Sequence, residues 1–511
     1  MHQPDRDTFR RLAREGNLVP VFRQIVADQD TPVSAYQRLR TALRRHDPGS
    51  HTFLFESVEG GESIARYSFL GGNPAEVIEA TGRTVRLTRA GGAVETHTDT
   101  DPLAFVQSRM ARFRPVPDAR LPRFTGGMVG FAGYDAVAQF DRVPLSPKPG
   151  LGWPDMVFML VDTVVIFDHV RHTVMLVTNA LVDGDVDAAY DAAVARLDLL
   201  ATRLDTPVPR RALDAGAAAT ATAEELHSNT THAEYLDAVE RSKEYIRAGD
   251  IIQVVLSQRF EAPAPSDPLD VYRALRLINP SPYLFCLELG GRTLVGSSPE
   301  VNVRCEDGEV NIRPIAGTRP RAADAAADRA LGEELLADPK ERAEHVMLVD
   351  LARNDIGRVC EWGSVTVSEF MVVERYSHVM HIVSNVRGRL RSDRTAYDLL
   401  RATFPAGTLS GAPKIRAMEI IAELEASRRG AYGGAVGYFG FDGNHDSCIA
   451  IRTVLIHEGR AYVQAGAGIV ADSVPQSEFD ETCNKARGML KALAVARQFS
   501  AHPASAPEVR T

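Results

Sequence analysis

The sequence predicts an α/β chain of the α+β type, in which short strands, some joined as hairpins, are interleaved with helices. Short apolar runs closed by turn residues, two Asp-Gly pairs set between β-patterned segments, and helix-start signals between the strands lead to that class. At 511 residues the length allows roughly three domains or one large interleaved unit.

The first half reads as strands: Thr52 to Ser57, Glu76 to Ala80, Thr84 to Thr88, and the long pair Met156 to Phe167 and Thr173 to Thr178. Residues 205–229, rich in Ala, Thr and Pro, predict an exposed linker that divides a portion 1–204 from a portion 230–500. Thr231 and Glu234 then form a capping-box pattern ahead of Tyr235, Val239 and Ile246, and Gly249 ends that helix. From Ile251 to Phe260 the pattern alternates, placing Ile252, Val254, Leu256 and Phe260 on one face and Gln253, Val255 and Ser257 on the other. Gln253 can therefore face a cavity. Asp307-Gly308 joins Val301–Cys305 to Val310–Arg313, and Asp442-Gly443 joins Ala435–Phe441 to Ser447–Ile456, as hairpins. The tail, 501–511, reads as disordered.

Composition narrows the function classes. A net charge of -9 argues against a nucleic-acid partner. The start of the chain is charged and lacks an apolar signal-peptide core, and the best apolar stretch is short and broken by Asp162, so a cytoplasmic address without a membrane span is expected. Cys286, Cys305, Cys360, Cys448 and Cys483 are scattered, form no CxxC pair, and none follows a glycine as an exposed nucleophile at a sharp elbow would.

Carboxylates carry the first chemical signal. Glu341 and Glu344 lie three apart within Lys340–Ile356, whose Ala343, Met347 and Leu351 recur at helical spacing, so both project from one helix face. Glu478 and Glu481, with Lys485, repeat this geometry on a second helix opened by Ser473 and buried along Phe479, Cys483, Ala486, Leu490 and Leu493. Such pairs are ordinarily solvated surface. Two that meet could instead share a hard cation such as Mg²⁺, which takes oxygen ligands and leaves positions to water and an anionic substrate. Tyr432-Gly-Gly434 and Gln464-Ala-Gly-Ala-Gly468 adjoin strands, where glycine lets backbone N–H groups approach an anion or simply allows tight sheet packing. Arg452, read as part of the strand Ser447–Ile456, would need an acidic ligand or a carboxylate if buried. His381 precedes alternating Ile382, Ser384 and Val386 and is structural or an acid–base group.

Taken together, these stretches resemble the chorismate-utilising enzymes, and within them the anthranilate synthase component I family. The matching strings are Glu344-His-Val-Met-Leu-Val-Asp-Leu-Ala-Arg-Asn-Asp355, Gly407-Thr-Leu-Ser-Gly-Ala-Pro-Lys414, Tyr432-Gly-Gly-Ala-Val-Gly437, Gln464-Ala-Gly-Ala-Gly468 and Asp472-Ser-Val-Pro-Gln-Ser-Glu478. The likeness runs from about Glu15 to Val495 and is strongest beyond Tyr235. It implies two packed, mainly antiparallel sheets with helices outside, and a catalytic cleft in the second half.

The resemblance also implies roles. Glu344 and Glu481 would ligate Mg²⁺, with Glu341 and Glu478 holding its waters. Gly317, Thr318, Tyr432, Arg452, Gly466, Ala467, Gly468 and Lys485 would contact the carboxylates of chorismate. Thr408 and His381 would line the reacting ring, with His381 assisting loss of pyruvate. Glu300, in Ser298-Pro-Glu300, would protonate the departing 4-hydroxyl.

Two positions discriminate within the superfamily. Water-adding relatives place a Lys base where this chain has Gln253, whereas ammonia brings its own lone pair and needs only orientation. In aminodeoxychorismate synthase, the runner-up reading, a Lys in Pro-Ile-Lys-Gly-Thr serves covalent catalysis. Here the string is Pro314-Ile-Ala-Gly-Thr318, and Ala316 cannot act as a nucleophile.

Leu54-Phe-Glu-Ser57, Arg66-Tyr-Ser-Phe69 and Asn279-Pro-Ser-Pro282 resemble the family's tryptophan feedback pocket, with Ser57, Pro280, Ser281 and Pro282 as contacts. Phe55 stands where Leu is common. The portion 1–204 would then be regulatory. A reading from another class, a non-catalytic tryptophan-binding regulator, would require a broken metal site, yet all four glutamates are present. No glutaminase nucleophile is seen in the chain, so the resemblance implies a separate glutamine amidotransferase partner that supplies ammonia.

Overall fold

Strand pairing resolves into two antiparallel sheets of twelve strands each among the described residues. The computed structural model describes residues 2–26, 28–57, 66–208, 227–376 and 379–501. One sheet runs Leu18–Val26, Thr173–Leu181, Thr163–Asp168, Tyr67–Gly72, Thr52–Glu56, Tyr283–Leu289, Arg292–Ser298, Thr453–His457, Arg460–Ile469, Gln253–Pro263 and His227–Ser228, with Gly411–Ala412 also on Gln253–Pro263. The other runs Ile315–Pro320, Val379–Arg389, Glu309–Ile312, Val301–Glu306, His445–Ile449, Ala435–Gly440, Gly127–Ala132, Met156–Val161, Glu76–Thr81, Thr84–Arg89 and Val94–His97, with Thr366–Arg375 also on Val379–Arg389.

Both sheets are shared by the two halves of the chain. Thr52–Glu56 pairs with Tyr283–Leu289, and Gly127–Ala132 with Ala435–Gly440. The inner faces meet in one core that mixes Phe53, Phe69, Phe285 and Leu294 of the first sheet with Val129, Val157, Met159 and Val436 of the second. Helices cover the outer faces: Pro32–Arg44, Val186–Leu204, Pro268–Ile278 and Pro475–Ala501 pack on the first sheet around Leu54, Leu176 and Val454. The expected two-layer architecture with outer helices is therefore present.

Local signals held where the chemistry is local. Thr231 accepts the Glu234 N–H and the Glu234 side chain reaches back to the Thr231 N–H, opening the helix His232–Arg247. Gly249 follows it at φ +83°, a left-handed position that costs other residues energy. Asp307 and Gly308 are both left-handed, as a two-residue hairpin turn requires.

Other expectations need correction. Met156–Phe167 is not one strand: Met156–Val161 lies in the second sheet, Asp162 turns, and Thr163–Asp168 lies in the first. Ser447–Ile456 divides likewise into the end of His445–Ile449 and the strand Thr453–His457, again in different sheets. Each piece is buried on both faces; Val157 and Met159 face the inter-sheet core while Met156, Phe158 and Leu160 face the helices. An apolar run then continues across the corner and hides it. Ile252 is 65% exposed and precedes the strand Gln253–Pro263 rather than sharing the face of Val254. The strand-only reading of the first half also omits helices such as Pro32–Arg44, capped by Thr31, and Val186–Leu204, capped by Asp185. Most of the expected linker and the final ten residues lie outside the described residues. None of the described helices is long and apolar enough to cross a membrane.

Candidate active site

The helix Pro339–Gly357 starts at Asp338, whose carboxylate accepts the N–H groups of Lys340 and Glu341. It is anchored by polar pairs: His345 Nε2 lies 2.6 Å from Ser384 Oγ, and Lys414 Nζ donates to Asp355 at 2.7 Å. Its buried stripe is His345, Leu348, Val349, Ala352, Asp355 and Ile356, not the Ala343, Met347 and Leu351 row read from apolar spacing. Two of those stripe residues, His345 and Asp355, are polar and each pairs with a residue distant in the chain, so an apolar period passes over them. The seated helix leaves Glu341 and Glu344 only part-buried.

Gln253 opens the strand Gln253–Pro263 and donates from Nε2 to Glu344 Oε1 at 3.3 Å. Gly468 lies beneath it, where a Cβ would come within 2.4 Å of Gln253 Nε2. Across the site, Lys485 of the helix Pro475–Ala501 donates to the Gly466 carbonyl at 2.9 Å and pairs with Glu481 at 2.7 Å. The Tyr432 hydroxyl also abuts Gly466, within 2.9 Å of where a Cβ would stand. Ala467 points the other way and its methyl joins the helix-side core, so only its peptide group can serve a ligand.

The two carboxylate pairs sense each other. Burial chiefly raises the proton affinity of Glu344, and the charges of Glu341 and Glu481 push it the same way, against the Gln253 hydrogen bond and Lys340. Glu478 is raised by burial and by Glu481, against a hydrogen bond from Ser473 and the charges of Lys340 and Lys485. Helices far apart in sequence thus bring four carboxylates into one field. Among the described residues no group of three or more Asp, Glu, His or Cys side chains is placed to hold a metal ion by itself. The donors that are present, incompletely neutralised carboxylate oxygens, suit a hard dication such as Mg²⁺ held by Glu344 and Glu481 with water and an anionic substrate completing its shell. Arg319, which sequence reasoning passed over, donates to Glu341 at 3.3 Å and also to Glu334 and Asp338. Its place beside Thr318 was the only clue.

Gly317 sits in a bulge of the strand Ile315–Pro320 at φ +65°, where a Cβ would press on Glu341 Oε2 at 3.0 Å. Its carbonyl lies 2.9 Å from His381 Nδ1, and Thr318 Oγ1 lies 3.1 Å from the same nitrogen. A carbonyl only accepts, so Nδ1 carries the proton and the lone pair is on Nε2. Burial lowers the His381 pKa, which keeps the ring neutral near neutral pH.

Glu300 follows the strand Arg292–Ser298 and is buried; Thr408 Oγ1 donates to its Oε1 at 2.7 Å. Burial pushes this carboxyl up to about 7, against the Thr408 bond and the charges of Arg452 and Lys485. Arg452 is not within a strand: it stands at φ +48° where the chain leaves one sheet for the other, with Glu300 as the carboxylate that its charge senses. Gln253, Glu344 and the Gly466–Gly468 strand form one hydrogen-bonded side of the site, and Glu300, Thr408 and Arg452 another, with Lys485 influencing both.

A separate cavity lies between the sheets, lined among others by Ser57, Tyr67, Phe69, Arg123, Pro282 and Tyr438. It takes in two of the four residues expected to bind tryptophan; Pro280 and Ser281 are not in its lining.

Comparison with known proteins gives the family. Residues 50–491 match the family model described as chorismate binding enzyme. The chain is 51% identical over 501 residues to anthranilate synthase component 1 of Pseudomonas putida, covering 97% of this chain and 100% of that one. It is 46% identical over 499 residues to the protein of the same name from Acetivibrio thermocellus, covering 96% and 99%. The crystal structure of anthranilate synthase component I from Streptococcus pneumoniae TIGR4 superposes with a TM-score of 0.75 at 37% identity, over 91% of this chain and 99% of that one. The chain belongs to the chorismate binding enzyme family and, within it, to the family of anthranilate synthase component I.

Proposed function

We propose that this chain is the aminating subunit of an anthranilate synthase, which converts chorismate and ammonia to anthranilate and pyruvate. The observation that carries the reading is Gln253, a neutral amide set against Glu344 where activation of water would call for a base. A primary amide orients ammonia through its carbonyl without having to remove a proton.

Glu300 supplies the acid. Poised near 7, it donates a proton as the C4 hydroxyl departs as water, and the resulting carboxylate takes up a proton from the amine added at C2. Thr408 holds that carboxyl in place. Arg452 and Lys485, with the peptide groups of Gly466 to Gly468, are suited to bind the two substrate carboxylates. His381, with its lone pair on Nε2, is suited to take the C2 proton as pyruvate is eliminated and the ring becomes aromatic. Mg²⁺, when bound at Glu344 and Glu481 with Glu341 and Glu478 around its waters, would neutralise charge on the ring carboxylate. Ala316 is buried opposite Ile382 and offers no nucleophile, which favours anthranilate over aminodeoxychorismate as product.

A glutamine amidotransferase subunit would supply the ammonia, and tryptophan in the inter-sheet cavity would regulate turnover as the end product of the pathway. Mass spectrometry of the product formed from chorismate, Mg²⁺ and ammonium chloride tests the reading: anthranilate with pyruvate supports it, and an aminated product without pyruvate overturns it.

A further inference from the structure

Beneath the site lies a buried ion pair that none of the roles above uses. Arg429 is enclosed and forked onto Glu425, donating from Nε to Oε2 at 2.9 Å and from Nη2 to Oε1 at 2.6 Å. The guanidinium does not stop there. Nη1 donates to the Leu409 carbonyl at 2.6 Å and Nη2 to the Val255 carbonyl at 2.7 Å. Its Cζ lies over the rings of Tyr134 and Tyr432, 4.4 Å and 5.6 Å from their centroids. Glu425 Oε1 in turn accepts the N–H of Ser257 at 2.8 Å and its hydroxyl at 2.7 Å, and Ser257 Oγ accepts from Gln464 Nε2 at 2.8 Å.

Each contact lands beside a residue of the site. Leu409 follows Thr408, the donor to Glu300. Val255 and Ser257 belong to the strand that begins at Gln253. Tyr432 abuts Gly466, and Gln464 lies two residues before that glycine. A salt bridge held this deep is weak evidence for stability, because desolvation of both charges offsets their attraction. A planar fork with five fixed donors, however, sets the spacing of several backbones at once, which a flexible ammonium cannot do.

We propose that Arg429, held by Glu425, is a positioning residue that fixes the distance between the Thr408–Glu300 pair and the strand carrying Gln253. It touches no substrate. It acts through three elements that do, and this assignment rests on the chorismate-aminating reading. The charged groups suited to the substrate carboxylates, Arg452 and Lys485, are not among its contacts, and it meets Tyr432 only through the ring face while it hydrogen-bonds directly beside Thr408 and on the Gln253 strand, so loss of the fork should impair the rate more than binding.

The test is steady-state kinetics of Arg429→Lys with chorismate and ammonium chloride, beside thermal melts and the control Arg40→Lys. Arg40 is another buried guanidinium, paired with Glu288 and Asp267 outside these elements. The expected result is a kcat lower by about 10²-fold with KM changed only about threefold, in a protein folded well above the assay temperature. Folded Arg429→Lys with a kcat within about twofold of wild type overturns the proposal, as does an equal loss in Arg40→Lys. Should Arg429→Lys not fold, Glu425→Gln, which keeps an acceptor for Ser257, is read the same way; if neither folds, the pair is structural and the proposal fails. An inactive wild-type chain would instead retire the chorismate reading, so the two failures are distinct.

Discussion

Thr408 Oγ1 donates to Glu300 Oε1 at 2.7 Å while burial drives that same carboxyl toward about 7. The hydrogen bond favours the charged form and burial the neutral one, and with burial the larger effect the carboxyl can give and regain a proton near neutral pH. The catalytic form is the protonated one. At constant free ammonia, kcat/KM should therefore fall as pH rises through about 7, in a pH series that corrects for the ammonium fraction.

Thr408→Val removes the donor that stabilises the carboxylate. The Glu300 pKa should rise, moving the falling limb of the same profile to higher pH, whereas Glu300→Gln should abolish the limb and cost about 10²–10⁴-fold in kcat.

Gly468→Ala tests the seat of Gln253. The added methyl would come within 2.4 Å of Gln253 Nε2, displacing the amide at a strain cost of about 1–3 kcal/mol. Anthranilate formation should fall by more than the melting temperature explains. An unchanged rate would show that the amide's position is immaterial.

Much of this was legible in sequence, for reasons that differ by residue. The Thr231–Glu234 cap and the Asp307-Gly308 hairpin are local devices whose residue types dictate the backbone, and both formed as read. The corners at Asp162 and Arg452 were not legible, because a strand buried on both faces keeps the same apolar pattern whichever sheet it joins. That error also misplaced Arg452, which stands at a sheet-to-sheet crossing facing Glu300. The site residues came from motif resemblance; the structure sets Gln253 against Glu344 and Thr408 against Glu300. Arg429 escaped notice since its partners Val255 and Leu409 are backbone carbonyls distant in the chain, invisible to any residue pattern.

Tryptophan should bind the cavity lined by Ser57 and Pro282 and inhibit turnover. Ligand at about 100 times its Kd should stabilise the fold by about 2.7 kcal/mol, seen as a higher melting temperature. Ser57→Phe should abolish both effects and leave uninhibited turnover intact.

In the proposed reaction, carboxylates from two distant helices serve one magnesium ion beside an amide that cannot activate water. The most direct measurement is anthranilate and pyruvate release by the Glu344→Gln/Glu481→Gln double variant against wild type across a magnesium titration. Wild type should release the two products in equal amounts only with Mg²⁺ present, and the double variant should lose about 10³-fold or more at every concentration. Turnover by the double variant within a few-fold of wild type would mean that Glu344 and Glu481 do not hold a catalytic metal.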